Sequence, residues 1–330
     1  RADPKEILPE CQSILAIGIA YPSSHLSNSA TGGGRIASYA WGDDYHDVLP
    51  VRLKAIVQFI EAQVGTSVPN RWYTDTGPVL EREIAQRAGL GWIGKNTCLI
   101  NPRSGSYFLL AEILLGVELP PDDPFTSDHC GSCRRCIEAC PTNCILPNRT
   151  IDSNRCISYL TIEEKGHIPL ELRPQIGNWI FGCDVCQQVC PWNLRFAPAA
   201  FEEHAGEPRF AAQPDRAAPT LQDEMALTPQ TFNQKFKGSP VKRTKRRGYL
   251  RNIAVAFGNS RNPEAIAALK HGLKDPEALV RSHTAWALGQ IGGQLASQIL
   301  EQAILSEPDE SVRDEILNAR EQIRSQHKNP

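Results

Sequence analysis

Alternating runs of apolar and polar residues predict an α/β region over the first 120 positions. The stretch SILAIGIAYP, from Ser13 to Pro22, is almost wholly apolar and predicts a buried strand that ends at the proline. In VLPVRLKAIVQFIEAQVG, apolar residues recur at helical spacing, and Gly65 is the expected stop. NRWYTDTGPVLEREIAQRAGLG predicts a strand, a turn over 75–78 and a helix ending at Gly89, and SYFLLAEILLGVEL predicts another strand. We therefore expect an α/β domain over 1–120, bounded by the proline- and acid-rich LPPDDPF.

The last part of the chain contains an internal repeat. YLRNIAVAFGNSRNPEAIAALKHGLKDP and VRSHTAWALGQIGGQLASQILEQAILSEPDE match at a fixed offset, which pairs Ala254 with Ala285 and Gly258 with Gly289. A partial third copy begins at VRDEILNAREQI. Pairs of amphipathic helices that repeat in this way stack into an α-solenoid. We predict HEAT-like repeats with a basic segment over 239–330, preceded by an Ala/Pro-rich linker over 201–238.

The cysteines are clustered rather than dispersed. The chain has 11 of them, and all except Cys11 and Cys98 lie between Cys130 and Cys190. Gaps of two and three residues favour metal or cluster ligation in a reducing compartment over disulfide staples. Cys11 and Cys98 have apolar neighbours in the sequence and are expected to be small buried side chains.

The spacing within this segment indicates iron–sulfur clusters. CGSCRRCIEACP has the C-x2-C-x2-C-x3-C-P pattern of bacterial [4Fe–4S] proteins, in which the fourth cysteine binds a second cluster. The second motif, CDVCQQVCP, lacks one thiolate of a matching set, and Cys156 is the natural supplement. Cys144 is left over and is expected to be structural. The two predicted ligand sets are Cys130, Cys133, Cys136 and Cys190 for the first cluster, and Cys140, Cys156, Cys183 and Cys186 for the second. Two zinc ribbons and a disulfide knot are alternatives that fit the doubled pattern less well.

Composition and charge narrow the class of protein. The 330 residues are 41% hydrophobic and 22% charged, as in folded globular proteins, and the formal net charge of −2 indicates no particular partner. No apolar run approaches the ~20 residues of a membrane-spanning helix. The first residues lack the pattern of a secretory signal and a starting Met, which predicts that the true beginning of the protein is missing.

One segment is strongly basic. KFKGSPVKRTKRRGYLR leads directly into the helical repeats and could give them a positive edge for phosphates, although a solvated linker is the alternative. The candidate nucleic-acid-binding residues are Lys242, Arg243, Lys245, Arg246, Arg247 and Arg251.

The chain resembles the epoxyqueuosine reductase family, whose members are cobalamin-dependent iron–sulfur enzymes that complete queuosine in tRNA. The resemblance covers essentially the whole chain and is carried by SYAWGDDYHDVL, TDTGPVLERE, AGLGWIGKNT, CGSCRRCIEACPTNCI, NRCISYLTIE, IGNWIFGCDVCQQVCPWN and SPVKRTKRRGYLRNIAVAFGN. It implies a nitroreductase-like α/β domain that binds cobalamin, a ferredoxin-like domain with two [4Fe–4S] clusters over 121–200, and HEAT-like repeats. The family also has an N-terminal segment that is absent here.

The resemblance implies an activity, the reduction of epoxyqueuosine to queuosine at the wobble position of tRNA. Cob(I)alamin would attack the epoxide, the two clusters would deliver electrons, and Asp75 would protonate the departing oxygen before water is lost. Burial behind an apolar strand is expected to keep the Asp75 carboxyl protonated near neutral pH. The alternative for Asp75 is a residue that initiates the turn beside it.

The resemblance also implies a set of cobalamin contacts and partners. The candidate contacts are Arg1, Ala37, Asp75, Leu99, Leu110, Ser158, Lys165, Cys183 and Asp184. No D-x-H-x-x-G signature is present, so His46 is expected to be a structural polar residue rather than a cobalt ligand. A monomeric cytoplasmic protein is expected, with epoxyqueuosine-containing tRNA as substrate and flavodoxin or ferredoxin as electron donor. The alternatives are a cobalamin-dependent reductive dehalogenase and a non-catalytic electron carrier without corrin.

Overall fold

The computed structural model describes residues 3–23, 33–202, 207–217 and 219–328, with side chains except at 198–202 and 327–328. Its strands are, in chain order, β1 (Ser13–Ala20), β2 (Arg35–Ile36), β3 (Asn70–Tyr73), β4 (Trp92–Ile93), β5 (Leu99–Ile100), β6 (Phe108–Leu115) and β7 (Trp179–Phe181).

The α-helices are short in the cysteine-rich segment and longer towards the C-terminus. They are α1 (Tyr45–Val64), α2 (Glu81–Arg87), α3 (Arg135–Ala139), α4 (Ile157–Ile162), α5 (Val185–Gln188), α6 (Pro191–Glu202), α7 (Pro214–Ala217), α8 (Leu221–Met225), α9 (Pro229–Lys235), α10 (Lys245–Ser260), α11 (Ile266–Gly272), α12 (Ala278–Ile291), α13 (Gly293–Ile304) and α14 (Glu310–Lys328).

The chain forms two compact units. The first takes its described residues from 1–26, 38–151 and 184–212, and the second takes its own from 27–37, 152–183 and 213–330. The first therefore holds most of the N-terminal α/β region together with α3 and α5 from the cysteine-rich segment. The domain boundaries predicted from the sequence, at residues 120, 200 and 238, remain a prediction.

The first unit is built on an antiparallel sheet in the order β1-β6-β3. Ser13 of β1 lies opposite Leu115 of β6, and Tyr73 of β3 lies opposite Glu112. Helix α1 covers the sheet, where buried side chains of both elements form one core. The central position of β6 explains its nearly continuous apolar sequence, because apolar residues are needed on both faces of a covered strand.

The ends of α1 follow from local chemistry. The Asp44 carboxylate accepts a hydrogen bond from the His46 N–H at 3.0 Å, which satisfies one of the unpaired donors at the start of the helix. Gly65 ends the helix in the left-handed region at φ 78°, where a residue without Cβ is unstrained. The predicted helix and its stop are confirmed. Strand β1 ends at Ala20, two residues before the predicted Pro22.

The second unit contains the repeated helices. Helix α12 packs against both α10 and α14. A Cβ on Gly258 of α10 would come within 2.5 Å of the Trp286 ring, and one on Gly289 of α12 within 2.8 Å of the Ala319 Cβ. The repeated glycine therefore allows each helix to approach the next one closely.

The predicted linker over 201–238 is partly folded in this second unit. Helices α7, α8 and α9 lie within it, and Leu221, Met225 and Phe232 are buried. No helix in the described part of the chain is long and apolar enough to cross a membrane.

Candidate functional site

The predicted catalytic residue, Asp75, lies in the turn between β3 and α2. It adopts the left-handed backbone conformation with φ 59°, which is unusual for a residue with a side chain. The Asp75 side chain is 52% exposed. The expectation that the Asp75 side chain is buried is therefore wrong.

Two neighbouring side chains of α1 contact the Asp75 carboxylate. The Tyr45 hydroxyl donates a hydrogen bond to Asp75 Oδ2 at 2.8 Å, and His46 Nε2 lies 3.6 Å from the same oxygen. The other ring nitrogen of His46, Nδ1, lies 2.8 Å from Asp44 Oδ1. These contacts, led by the one with Asp44, raise the pKa of His46 to about 9, so the imidazole is protonated at neutral pH. The sequence placed His46 as a structural residue and did not single out Tyr45.

Asp75 opens onto a cavity of about 350 Å³ in the first unit. Leu99 and Leu110, which the resemblance assigns to cobalamin, line this cavity together with Tyr45 and Glu81. Thr74 fixes the wall, since its hydroxyl donates to the Leu110 carbonyl at 2.9 Å. Polar and apolar groups share the walls about equally, which suits an apolar ring that carries polar arms. The volume holds only part of a macrocycle as large as a corrin.

The remaining predicted cobalamin contacts are distributed over the chain. Arg1 lies outside the described residues. Ala37, Ser158, Lys165 and Cys183 belong to the second unit. Asp184 belongs to the first unit, where it is buried and its Oδ2 accepts a hydrogen bond from the Ser38 N–H at 2.8 Å. The Asp184 carboxylate therefore supports local backbone structure.

Two further carboxyl groups lie beneath Asp75, and the sequence reasoning missed both. Glu81 Oε1 accepts a hydrogen bond from the Asp75 N–H at 2.5 Å. Glu112 of β6 is 0% exposed, and α2, which carries Glu81, packs against β6. A signal was present in the sequence, because Glu112 is the one charged residue in the apolar run SYFLLAEILLGV.

The four cysteines predicted to bind the first cluster converge in space. Cys130, Cys133, Cys136 and Cys190 all line one cavity of about 170 Å³ in the first unit. Burial raises the pKa of Cys136 to about 11 and also raises the pKa of Cys190. A cluster ligand must be a thiolate, so bound iron would have to displace these protons.

Two side chains support this cysteine-lined cavity. The indole N–H of Trp92, which is 1% exposed, donates to Cys130 Sγ at 3.5 Å. The Lys95 ammonium donates to the carbonyl oxygens of Gly131 and Cys133 at 2.6 and 2.8 Å. The first contact places a hydrogen bond on a predicted ligand sulfur, and the second fixes the backbone of the ligand loop.

The cysteines predicted for the second cluster belong to different units. Cys140 and Cys186 are in the first, whereas Cys156 and Cys183 are in the second. Cys144, predicted to be structural, is buried with its Sγ 3.4 Å from Cys140 Sγ. This contact lowers the pKa of Cys140 to about 5. Among the described residues no group of three or more His, Cys, Asp or Glu side chains is placed to hold a single metal ion.

The basic segment is only partly available to RNA. Lys242, Arg243, Lys245 and Arg247 are exposed, and Arg243 is paired with Glu163. Arg246 is mostly buried, with its guanidinium 2.5 Å from Asp275 Oδ2. Arg251 is 0% exposed. The prediction that Arg251 contacts tRNA is therefore wrong, because its guanidinium has no surface to offer to a phosphate.

Comparison with known proteins identifies the family. A model described as "Epoxyqueuosine reductase QueG, DUF1730" matches residues 1–76, a "4Fe-4S double cluster binding domain" model matches 129–193, and a "HEAT repeats" model matches 245–319. The epoxyqueuosine reductase of Xanthomonas campestris is 43% identical over 298 residues, which cover 88% of this chain and 82% of that protein. The Escherichia coli K12 enzyme is 39% identical over 294 residues, covering 88% and 76%. The chain belongs to the epoxyqueuosine reductase family.

Solved structures of epoxyqueuosine reductases have the same fold. One, with an epoxyqueuosine-modified tRNA-Tyr stem loop, is 34% identical with a TM-score of 0.89, covering 98% of this chain and 85% of that one. A Bacillus subtilis structure, whose catalytic aspartate loop is swung out of the active site, is 34% identical with a TM-score of 0.87 and the same coverage. The predicted family, the mixed α/β fold with helical repeats and the [4Fe–4S]-binding domain are confirmed.

Proposed function

We propose that this protein reduces epoxyqueuosine to queuosine at the wobble position of tRNA. Family membership supports this activity, since relatives at 39–43% identity over most of the chain are epoxyqueuosine reductases. The main structural support for the proposal is the position of Asp75, whose exposed carboxylate lies at the edge of a cavity. A relative of the same fold holds a modified tRNA stem loop.

Cobalamin is part of the proposal. Asp75, Leu99 and Leu110, which line the cavity, would contact the corrin, and the other predicted contacts stay predictions. Bound cobalamin would supply a cobalt nucleophile for the epoxide, and the two clusters would supply its electrons.

The residues around Asp75 provide for proton transfer. Conversion of the epoxide to an alkene consumes protons, because the epoxide oxygen leaves as water. Asp75 Oδ2 would deliver a proton to that oxygen. The Tyr45 hydroxyl, which donates to Oδ2, and the positive charge of the His46 imidazolium, 3.6 Å from that oxygen, then stabilise the carboxylate that remains.

The cluster assignments keep their predicted form, and the tRNA contacts are reduced to the exposed members of the predicted set. The cluster ligands are the two cysteine sets given above, and the exposed cations Lys242, Arg243, Lys245 and Arg247 contact the phosphates of the tRNA stem. The α/β region over 1–120 binds cobalamin and the repeats over 239–330 bind tRNA. A monomer, a cytoplasmic location and a flavodoxin or ferredoxin donor complete the proposal.

The test is turnover by the anaerobic protein with reconstituted clusters, added cobalamin, a chemical reductant and tRNA that contains epoxyqueuosine. We expect queuosine among the digested nucleosides. In Asp75→Asn the rate should fall by about 10²–10⁴, the usual contribution of a positioned general acid, while the iron and corrin contents stay the same.

Asp122→Asn is the matched control, since this exposed acid lies outside the Asp75 cavity, and it should leave the rate unchanged. Absence of queuosine from wild-type protein that holds both iron and corrin would contradict the proposed activity. Iron without retained corrin would favour the electron-carrier alternative.

A further inference from the structure

Glu112 is an unusual side chain for the centre of a sheet. It lies in the middle of β6, flanked by Ala16 of β1 and Tyr73 of β3, and it is 0% exposed. Neither of its carboxyl oxygens meets a hydrogen-bond donor among the residues that the structure describes. An ionised carboxylate in such a place is strongly unfavourable, so the group must be protonated or share a proton.

The group that can share this proton is the carboxyl of Glu81, in the first turn of α2. Helix α2 packs against β6, which brings the Glu81 carboxyl close enough to Glu112 to raise its pKa. Two such carboxyl groups attract each other only if one proton lies between them, and they repel if both are ionised. Burial, together with the charge of Glu81, raises the pKa of Glu112 to about 8, and burial also raises the pKa of Glu81.

The same Glu81 carboxyl holds the Asp75 turn. Its Oε1 accepts the Asp75 N–H at 2.5 Å. Asp75 benefits from such support, because the left-handed conformation is unfavourable for a residue with a side chain. A repulsion that displaced Glu81 from Glu112 would therefore remove the acceptor that keeps Asp75 in this conformation.

Other charged and titratable groups face this cluster. Arg82 of α2 acts on Glu81, and Tyr45 and His46 of α1 contact the Asp75 carboxylate. Tyr73 of β3 is the titratable neighbour of Glu112 across the sheet. Of these, His46 titrates closest to the same range, so it is the group from which the acid pair must be distinguished.

We propose that Glu112 and Glu81 share one buried proton, and that this proton keeps Glu81 in place as the support of the catalytic Asp75 turn. Glu112 and Glu81 are thus positioning residues that act through Asp75. This inference rests on the proposed function of Asp75. It predicts an alkaline loss of turnover that originates from a buried acid pair and not from the group that meets the substrate.

The first test is the pH dependence of turnover in wild-type protein and in Glu112→Gln. For each protein, the rate at pH 9 is compared with the rate of the same protein at pH 7. Wild-type turnover should fall by about tenfold between pH 7 and pH 9, as expected for loss of a proton near pH 8. Glutamine is a permanent hydrogen-bond donor of the same shape, so the Glu112→Gln profile should change by less than about twofold over this range. A fall of about tenfold in that variant would overturn the proposal and assign the loss to another group such as His46.

Glu81→Gln is the second variant, which keeps the proposal testable if Glu112→Gln does not fold. Its amide oxygen can accept the Asp75 N–H while its NH2 group donates to Glu112, so it too should have a flat profile. An alkaline loss as steep as in wild type would overturn the proposal.

Infrared spectroscopy provides a readout that does not depend on catalysis. The C=O stretching band of a protonated carboxyl group should be present in wild-type protein at neutral pH, disappear with a midpoint near pH 8, and be absent in Glu112→Gln. No such band in wild-type protein would overturn the shared proton. Wild-type protein with the band but without turnover at any pH would overturn the proposed function instead.

Discussion

Arg251 and Arg247 lie one helical turn apart in α10 and offer a matched pair for separating stability from RNA binding. The Arg251 guanidinium is 0% exposed and donates to the carbonyl oxygens of Leu160, Glu164 and Gly166 at 2.7–2.9 Å, and to Asn252 Oδ1. Arg251→Met keeps an unbranched apolar stem of similar length and removes every donor. The substituted protein therefore buries carbonyl oxygens without partners.

The size of the effect follows from these contacts. An unsatisfied buried acceptor costs about 1–3 kcal/mol, and removal of one partner from a buried charged network costs about 3–5 kcal/mol in all. Burial lowers the pKa of Arg251 to about 10, so part of the hydrogen-bond energy already offsets the desolvation of its charge. We therefore expect the lower end of that range, about 3 kcal/mol, which corresponds to a decrease in Tm of roughly 6–12 °C.

The assays are thermal unfolding and salt-dependent binding of a tRNA anticodon stem loop. Arg251→Met should lower Tm and leave the slope of log K against log salt unchanged at a temperature where the protein is folded. Arg247→Met, at an exposed position, should leave Tm unchanged and reduce that slope by about 1, the loss of one phosphate contact. An unchanged Tm in Arg251→Met, or a reduced slope in it, would refute the structural role of this arginine.

Two further predictions concern the cysteine-lined cavity. Trp92→Phe removes the N–H that donates to the predicted ligand sulfur and should lower the reduction potential of the first cluster in an EPR-monitored titration. Trp192→Phe alters the same cavity without removing that hydrogen bond and should leave the potential unchanged. Equal potentials in Trp92→Phe and wild-type protein would contradict this prediction. Cys136→Ser should reduce the iron content by about half, because one cluster loses a ligand. Cys144→Ser should keep the full iron content. A halved iron content in Cys144→Ser would show that Cys144 is a ligand.

The patterns that recur along the chain were sufficient to predict much of the fold. Helix α1 and its stop at Gly65 follow from apolar spacing and a glycine, both of which act within a few residues. The cysteine spacing predicted a [4Fe–4S] domain because a cluster imposes its own ligand geometry on the sequence. The repeated Gly258 and Gly289 predicted stacked helices, and the close approach of the following helix explains both.

The basic segment shows where local patterns are insufficient. Arg247 and Arg251 belong to one basic run and lie one turn apart in α10, so charge spacing alone predicted the same role for both. Their difference comes from residues 160–166, whose carbonyl oxygens surround Arg251 alone. A contact between segments more than 80 residues apart leaves no trace in the spacing of charges. The same holds for Glu81 and Glu112, which meet only because α2 packs against β6.

Asp75 illustrates why burial was the wrong basis for its predicted role. A proton donor for a base in tRNA must be reachable before the RNA binds, so it has to be exposed in the free protein, and Asp75 is. An exposed carboxyl group, however, remains solvated, so burial does not raise its pKa and help it to keep a proton. In the arrangement that we propose, exposure and proton retention belong to different carboxyl groups. Asp75 would meet the substrate, while Glu112, which is fully buried, would hold the proton that keeps the Asp75 turn in place.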